Sequence, residues 1–447
     1  MFESNAADRD YVLKSVHERN IHFIRLWFTD VLGQMKSFAI TPSELEAAFS
    51  EGMGFDGASI EGFARETESD MLAVPDASTF QVLPWRPAAD GVARMFCSIY
   101  RPDGTPFDGD PRFVLRRMLR KAAEAGYEFN VGPEVEYFYF ADDSAPAPID
   151  RGGYFDLTPL DSGSDLRRDT ILTLEKMGIP VEYSHHEIAP GQQEIDLRFS
   201  DALSMADAVM TYRLVVKEVA ARHGVYASFM PKPLPDQPGS GMHVHQSLFA
   251  DGENAFYDAS DPLGLGLSEL AKHYLAGLLA HAPEYTLVTN QFVNSYKRLV
   301  AGYEAPTCIN WGGRDRSALV RVPSYKPDKA ASARFELRSP DSACNPYLAF
   351  AVLLGAGLKG VEDGLALPAQ NEADISQMTA GQLREAGFGL LPQSLGQAIE
   401  AFEGSSLMKE VLGEEMHRYI VANKRAEWER YRAQVTPFEL EQLYPRL

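Results

Sequence analysis

The stretch Gly132-Pro133-Glu134-Val135-Glu136-Tyr137-Phe138-Tyr139-Phe140 constrains this chain more than any other. Beyond Pro133 its uncharged residues are all β-branched or aromatic, which is the composition of a strand. Successive side chains of a strand point to opposite faces, so Glu134 and Glu136 share one face, about 6.5–7 Å apart. Set among core residues, two bare carboxylates are costly to bury without compensation. A metal ion, another bound cation or arginine partners would supply it; an ordinary edge strand with a solvated face would need none.

Charge narrows the partners. The 447 residues hold 42 Lys+Arg against 63 Asp+Glu, a formal net charge of -21, which argues against nucleic acid. Any anionic substrate must be held by a local arginine cluster. The length predicts two or three domains. No apolar run approaches the ~20 residues that span a bilayer, and Met1-Phe2-Glu3-Ser4-Asn5 lacks the basic start and apolar centre of a signal peptide. No membrane partner is expected, and the expected location is cytoplasmic. Cys97, Cys308 and Cys344 are widely spaced, show no zinc spacing and suit a reducing compartment.

In chain order, a helical pattern over residues 7–20 precedes strands Ile21–Phe28 and Gln34–Ile40. Thr41-Pro42-Ser43-Glu44 then reads as a helix start: a cap, a first-position proline and an acid three residues on. The glycine-rich stretch Gly52–Asp70 carries Asp56, Ser59, Glu66, Glu68 and Asp70. It reads as a long surface loop, although such glycines also suit backbone lying close to a ligand. Strands Thr79–Trp85 and Arg94–Tyr100 complete a small α+β unit, and Arg101–Pro111 is a linker.

The second unit is predicted to open with a helix near 111–125, then the Glu134/Glu136 strand and a helix at 164–177. Between strands Ile179–Ser184 and Glu194–Arg198, the turn from His185-His186-Glu187 to Glu194 could bring two glutamates together. Such ligands suit magnesium, manganese or zinc, though a surface turn would look similar. After a long helix at 201–223 and a strand near Tyr226–Met230, alternation through Gly239–Leu248 places His243, His245 and Ser247 on one face. Helices are predicted at 267–281 and 285–300, and 297–306, with Arg298 and Glu304, reads as a mobile loop. Arg314, Arg316 and Arg321 precede Arg334-Phe335-Glu336-Leu337-Arg338, in which Arg334, Glu336 and Arg338 share a face. They form either an ion-pair ladder or a two-pronged anion site. Further helices are predicted at 345–361, 394–403 and 406–432. Gly355–Gly360 matches G-x-G-x-x-G but falls inside a helix, and no G-x-x-x-x-G-K-S/T loop is present. The residues alone point to a metal-dependent phosphoryl-transfer or hydrolytic enzyme.

In order and spacing, these stretches resemble type I glutamine synthetases from Phe55 to beyond Pro346, closer to the feedback-regulated branch that is not adenylylated. The resemblance implies an α+β fold. A small N-terminal β-grasp domain, residues 1–104, would precede a catalytic ATP- and metal-binding domain, residues 105–447, with a curved antiparallel sheet flanked by helices. It implies ligation of ammonia to the γ-carboxylate of L-glutamate through γ-glutamyl phosphate, with ATP as co-substrate, in nitrogen metabolism and glutamine biosynthesis. Two or more Mg2+ or Mn2+ ions would serve each site. Glu136, Glu187 and Glu194 match ligands of the first, and Glu134, His243 and Glu336 those of the second.

By the same resemblance, Arg298, Arg338 and the backbone of Gly239 hold glutamate and the transferring phosphoryl group. Arg316, Arg321 and Arg334 match phosphate-binding arginines, and Phe199, His245 and Ser247 fall where the family contacts ATP. Asp56 corresponds to the base that deprotonates ammonium, with Ser59, Asp70, Tyr154 and Glu187 around the cation, and Glu304 to a flap that closes the site. Because one subunit's N-terminal domain completes its neighbour's catalytic domain, the resemblance implies a homo-oligomer, typically a dodecamer, with active sites between subunits. Three positions depart from the family pattern: Pro238 for a usual Asn, Ala58 for Ser and Ala331 for Lys. They leave a γ-glutamyl-amine ligase as the alternative, and a catalytically silent relative as a third reading. The adenylylated tyrosine of one branch is missing from Asn371–Ser376, and Arg65 matches a position linked to glutamine feedback.

Overall fold

The computed structural model describes residues 5–447 apart from 63–68, 314, 327–328, 372–374 and 376–377. Arg65, Glu66, Glu68, Arg314 and most of Asn371–Ser376 therefore lie outside the described residues.

Two sheets organise the chain. The first has six strands in the order Met35–Ile40, Ile21–Thr29, Gly91–Tyr100, Asp70–Pro75, Met53–Asp56, with Gln81–Val82 also against Gly91–Tyr100. Ile21–Thr29 and Gly91–Tyr100 run parallel and their other neighbours antiparallel. Ile24, Leu26, Met95, Phe96 and Ile99 fill the core of this sheet. Helix Ala6–Glu18 adds Val12 and Val16.

Three expectations in this unit need correction. Gly52–Asp70 is not one loop, because Met53–Asp56 is a strand paired with Asp70–Pro75, with Asp56 opposite Asp70. Phe55 drives this by packing on Phe28 and Phe38, at ring centroid distances of 4.8 and 5.9 Å. Thr79–Trp85 is mostly not a strand: Asp76 caps a 3-10 turn at Ala77–Thr79, and only Gln81–Val82 pairs. Thr41 builds no capping box. Its Oγ1 lies 2.8 Å from Ser43 Oγ, and Pro42–Glu44 is a 3-10 turn before helix Leu45–Ser50.

The second sheet has ten strands. Its main path runs Trp311–Gly312, Val320–Arg321, Phe335–Leu337, Met242–Ala250, Glu128–Phe140, Gln192–Leu197, Val181–His186, and all but the first pairing are antiparallel. Glu128–Phe140 is central. Its Val131, Val135, Tyr137 and Tyr139 face the core, where Tyr137 packs edge-on to Tyr212 of helix Ala202–Arg222. Helices Pro111–Glu124, Glu269–Ala280 and Pro346–Glu362 complete the packing.

The predicted helix 285–300 breaks into Ala282–Thr289 and Ser295–Arg298, because Asn290 leaves the helical region and its side chain binds Ser339 O and Asp341. Helix 406–432 divides at Gly413, whose φ of +83° suits glycine. The Gly355–Gly360 motif lies within helix Pro346–Glu362, as expected. A Cβ at Gly357 would sit 2.1 Å from the Tyr274 ring and one at Gly360 2.3 Å from His273 O, so these glycines serve close helix packing. No described helix is long and apolar enough to cross a membrane.

The two units touch within the chain. Gln291 Nε2 donates to Leu32 O at 2.9 Å, and Asn423 Nδ2 to Glu61 O at 2.7 Å.

Candidate active site

Strand register builds the site in cross-strand rows. Glu134 lies opposite His243 on one side and Asp196 on the other. Glu136 lies opposite Glu194, which in turn faces His185. A third row runs Arg321, Glu336, His245. Side chains spaced by two share a face, so one surface gathers five acids, three histidines and their arginine neighbours.

Two sets of potential ligand atoms converge there. In Glu134, His243 and Glu336 they lie within 4.8 Å of one another, and so do those of His185, Glu187 and Glu194. The first set is the triplet expected for the second ion. The second contains Glu187 and Glu194 but holds His185 in place of Glu136. Glu136 is turned partly aside: its Oε2 accepts from Gly241 N at 2.8 Å and Gln192 Nε2 at 3.0 Å, while Oε1 lies 4.0 Å from His243 Nε2.

The two sets differ in electrostatics. Glu134 accepts from His243 Nδ1 (3.0 Å) and His245 Nε2 (2.6 Å), and Glu336 from Arg321 Nε (2.6 Å) and from Arg338. Burial works against the Glu134 anion, yet the two imidazole hydrogen bonds hold its pKa well below the usual value. Glu336 is lowered likewise, against burial, by His245, Arg338 and His243. On the other side, burial and then the charge of Glu136 push Glu187 up to about 8. Burial and Glu134 push Asp196 to about 8, and burial with Asp196, Glu136 and Glu187 raises Glu194. The ion-pair partner of Glu187 and Glu194 is His185; among the described residues no lysine or arginine pairs with either. Buried carboxylates without cationic partners are the donor set of a hard divalent cation, so these residues fit the implied ions.

A third set, Asp150, Asp161 and His186, has the spacing of a metal site but not the vacancies. Asp150 accepts from the N–H groups of Gly152, Gly191 and Ser162 and from His186 Nε2 (3.0 Å), and Asp161 from Gly163 N and Arg167. His186 Nδ1 donates to Glu187 O at 2.7 Å. This is a hydrogen-bonded support under the turn that carries Glu187.

The remaining expected residues surround the two sets. Arg298 is buried, with donors to Ser339, Pro340 and Arg338 carbonyls; a Cβ on Gly241 would meet its guanidinium at 2.5 Å, and one on Gly239 would meet Pro231 O at 2.1 Å. Arg338 Nε donates to Arg316 O at 3.0 Å, and Arg316 pairs with Glu304 at 3.3 Å and lies over the Tyr154 ring. Glu304 has φ +55°, a strained value for a glutamate. Tyr154 stands edge-on to His185 at 5.5 Å. Beside Glu134, a cavity of about 330 Å3 is lined by Gly132, Asp196, Phe199, His245, Ser247 and Arg334, whose Nε donates to His245 Nδ1 at 3.1 Å.

Asp56 and Asp70 are on strands of the other sheet, and Ser59 is in the 3-10 turn Gly57–Ile60 that follows Asp56. Asp56 Oδ1 accepts from Ala58 N and Ser69 N, and Ser59 Oγ donates to Asp56 O. The turn just beyond is anchored to helix Glu414–Arg432, where Tyr419 and Asn423 hold Glu61. Sequence reasoning missed Asp196 and Gln192 at the site. Glu194-Ile195-Asp196 repeats the acid spacing of Glu134-Val135-Glu136, and the same alternation argument would have found Asp196. Gln192 carried no such signal.

Paired cation-ready sets flanked by arginines, on a fold with a separate β-grasp-like unit, define the class of metal-dependent phosphoryl-transfer ligases. Residues 20–102 match the glutamine synthetase β-grasp domain and residues 108–443 the glutamine synthetase catalytic domain. The chain belongs to the glutamine synthetase family. It is 58% identical to the glutamine synthetase of Mycolicibacterium smegmatis over 97% of this chain and 98% of that protein. To those of Methanosarcina mazei and Staphylococcus aureus it is 49% and 44% identical, over 97% of this chain and 96% and 97% of theirs. The solved complex of GmaS with ADP superposes with TM-score 0.88 at 31% identity, covering 97% of this chain and 99% of that one.

Proposed function

We propose that this protein joins ammonia to the γ-carboxylate of L-glutamate with ATP, through γ-glutamyl phosphate, releasing L-glutamine, ADP and phosphate. The observation that carries this reading is the pairing of a charge-compensated set (Glu134, His243, Glu336) with an uncompensated one (Glu187, Glu194) on one sheet face. Glu134, His243 and Glu336 would hold one divalent ion, and Glu136, Glu187 and Glu194 another. Mg2+ or Mn2+ there would neutralise phosphate charge.

The chain's own groups do the rest. Phe199, His245, Ser247, Arg321 and Arg334 place the nucleotide, while Arg298, Arg338 and Gly239 orient glutamate. The γ-carboxylate oxygen then attacks the γ-phosphorus and ADP leaves, with Arg316 and Arg338 balancing the moving charge. Asp56, with Ser59, Asp70, Tyr154 and Glu187 about the cation, takes a proton from ammonium. The free ammonia attacks the acyl carbon and phosphate departs, while Glu304 closes the site against water. Since Asp56 stands on the other sheet and its turn is tied to helix Glu414–Arg432, we place the working site between copies in a homo-oligomer, a dodecamer by the family resemblance. The division between units falls at residues 104/105, and the reaction belongs in the cytoplasm.

A second reading, ligation of an organic amine, draws on Pro238 and Ala58, which depart from the family pattern. Phosphate release with ATP, Mg2+ and glutamate separates the two. Ammonium should support turnover well above methylamine, putrescine, spermidine or ethanolamine, and turnover with an amine but not ammonium would reverse the choice.

A further inference from the structure

Lys232 has no part in the reaction above, yet it joins the segments that carry Gly239, Arg298 and Glu304. Its side chain is buried, at 7% exposed. Nζ donates to Gln237 O, in the segment that leads to Gly239. The Lys232 backbone is clamped by Asn294, whose Oδ1 accepts from Lys232 N at 2.7 Å and whose Nδ2 donates to Lys232 O at 3.0 Å. Asn294 immediately precedes helix Ser295–Arg298, which carries Arg298. Pro231 O, the residue before, accepts from Ser240 N at 2.8 Å. Lys232 is therefore fixed to both elements that orient glutamate.

The third segment is the flap. Lys232 Nζ lies 3.6 Å from the ring centroid of Tyr303, the neighbour of Glu304. An ammonium over an aromatic face is attracted by the ring quadrupole, and more strongly where water is excluded. Burial works against the Lys232 charge, and Asp236 only partly offsets this, so the ring face supplies compensation that a single carbonyl does not. The flap needs such a hold. Tyr303 stands between Gly302 at φ +91° and Glu304 at φ +55°, a strained turn, and the Glu304–Arg316 pair is about half exposed on both sides, where ion pairs contribute little.

We propose that Lys232 is a positioning residue for the ligation: its ammonium, seated on the Tyr303 ring, latches the Glu304 flap to the glutamate-holding segments, so that the acyl phosphate meets ammonia and not water. The inference rests on the reaction proposed above. Without the latch, water adds to the acyl carbon, the bond from that carbon to the phosphate oxygen breaks, and glutamate and phosphate leave while a proton passes to solvent. ATP is then consumed without glutamine. The test is the ratio of phosphate released to glutamine formed by the full-chain enzyme, at saturating ATP, Mg2+ and glutamate with ammonium varied. In wild type the ratio should stay at about one. Lys232→Met, which keeps the stem and loses the charge, and Tyr303→Leu, which loses the ring, should each raise it at least about threefold, most steeply when ammonium is scarce. Tyr303→Phe keeps the ring face and should match wild type, and ATP affinity by calorimetry should be equal in all four proteins. A wild-type ratio in Lys232→Met and Tyr303→Leu, or a Tyr303→Phe as leaky as Tyr303→Leu, would overturn the proposal. Weakened ATP binding in the leaky variants would also overturn it, because the damage would then be general. Since Lys232 is buried, the two Tyr303 variants decide the matter if Lys232→Met does not fold. A wild type that forms no glutamine from ammonium would overturn the reaction reading itself.

Discussion

Stability of the metal-free protein should fall as pH rises from about 4.5 to 8, and divalent cations should reverse that fall. Glu187 shows why. Its folded pKa of about 8 lies above the ordinary 4.5, so the folded state retains a proton that the unfolded chain releases in this window. A raised carboxyl pKa therefore favours folding at low pH and loses that advantage as pH climbs through 8. At 1.36 kcal/mol per pH unit, the change for Glu187 amounts to about 5 kcal/mol. A chain of this size unfolds with an entropy near 1 kcal/mol per kelvin, which makes this a drop of about 5 °C in Tm. Asp196, also at about 8, adds a fall of the same sign. Glu134 and Glu336, whose pKa values are lowered, act in the opposite sense but only below about 4.5 and leave the window clear. The assay is thermal unfolding of chelator-treated protein across pH 5 to 8.5, repeated with excess Mg2+ and with Glu187→Gln. Tm of the metal-free wild type should decline, the cation-induced rise should widen with pH, and Glu187→Gln should flatten both trends. A metal-free Tm that is level or rising, or a variant with the wild-type slope, would refute the electrostatic account.

Glu134→Gln should mainly weaken ATP handling, and Glu136→Gln mainly glutamate and ammonium use, as read from separate KM values; equal losses in both variants would contradict the division. Asp56→Ala should cut ammonium-dependent kcat by at least about a hundredfold while calorimetry shows unchanged ATP affinity, and full retained activity would remove Asp56 from its role. Asp150→Asn should lower stability by about 3 kcal/mol in urea unfolding, because it strips a buried imidazole of its carboxylate. A loss below about 0.5 kcal/mol, the level of an ordinary surface change, would show that the support under Glu187 carries no weight.

Faces were legible in the sequence, and registers were not. Spacing by two on a strand is enough to set Glu134 with Glu136, and His243 with His245 and Ser247, on common faces. That Glu134 meets His243 across 109 positions of sequence depends on which strands pair, and no local pattern encodes it. The Gly52–Asp70 stretch was misread for a related reason. Met53 and Phe55 alternate as in a strand, but their partners Met71 and Ala73 lie beyond an intervening turn, and the glycines dominated the local signal. The break at Asn290 was equally hidden, since it follows from distant contacts with Ser339 and Asp341.

The structure adds a distinction that residue identities alone could not make. Six glutamate and histidine positions look interchangeable in sequence, yet one half of the site is neutralised from within the chain and the other is not. Glu336 has Arg321 and Arg338, and Glu134 has two imidazoles. Glu187 and Glu194 have His185, whose pKa burial lowers, so it is a weak source of positive charge at neutral pH. Phosphate, an anion, needs the arginine-bearing half, and a small cation needs the acid-rich half. The same sheet face thus presents opposite potentials a few residues apart, which is the asymmetry required of a site that holds phosphate and collects an ammonium ion before its deprotonation. In a chain of net charge -21, the acids are general and the local arginines are what direct the anion to its place.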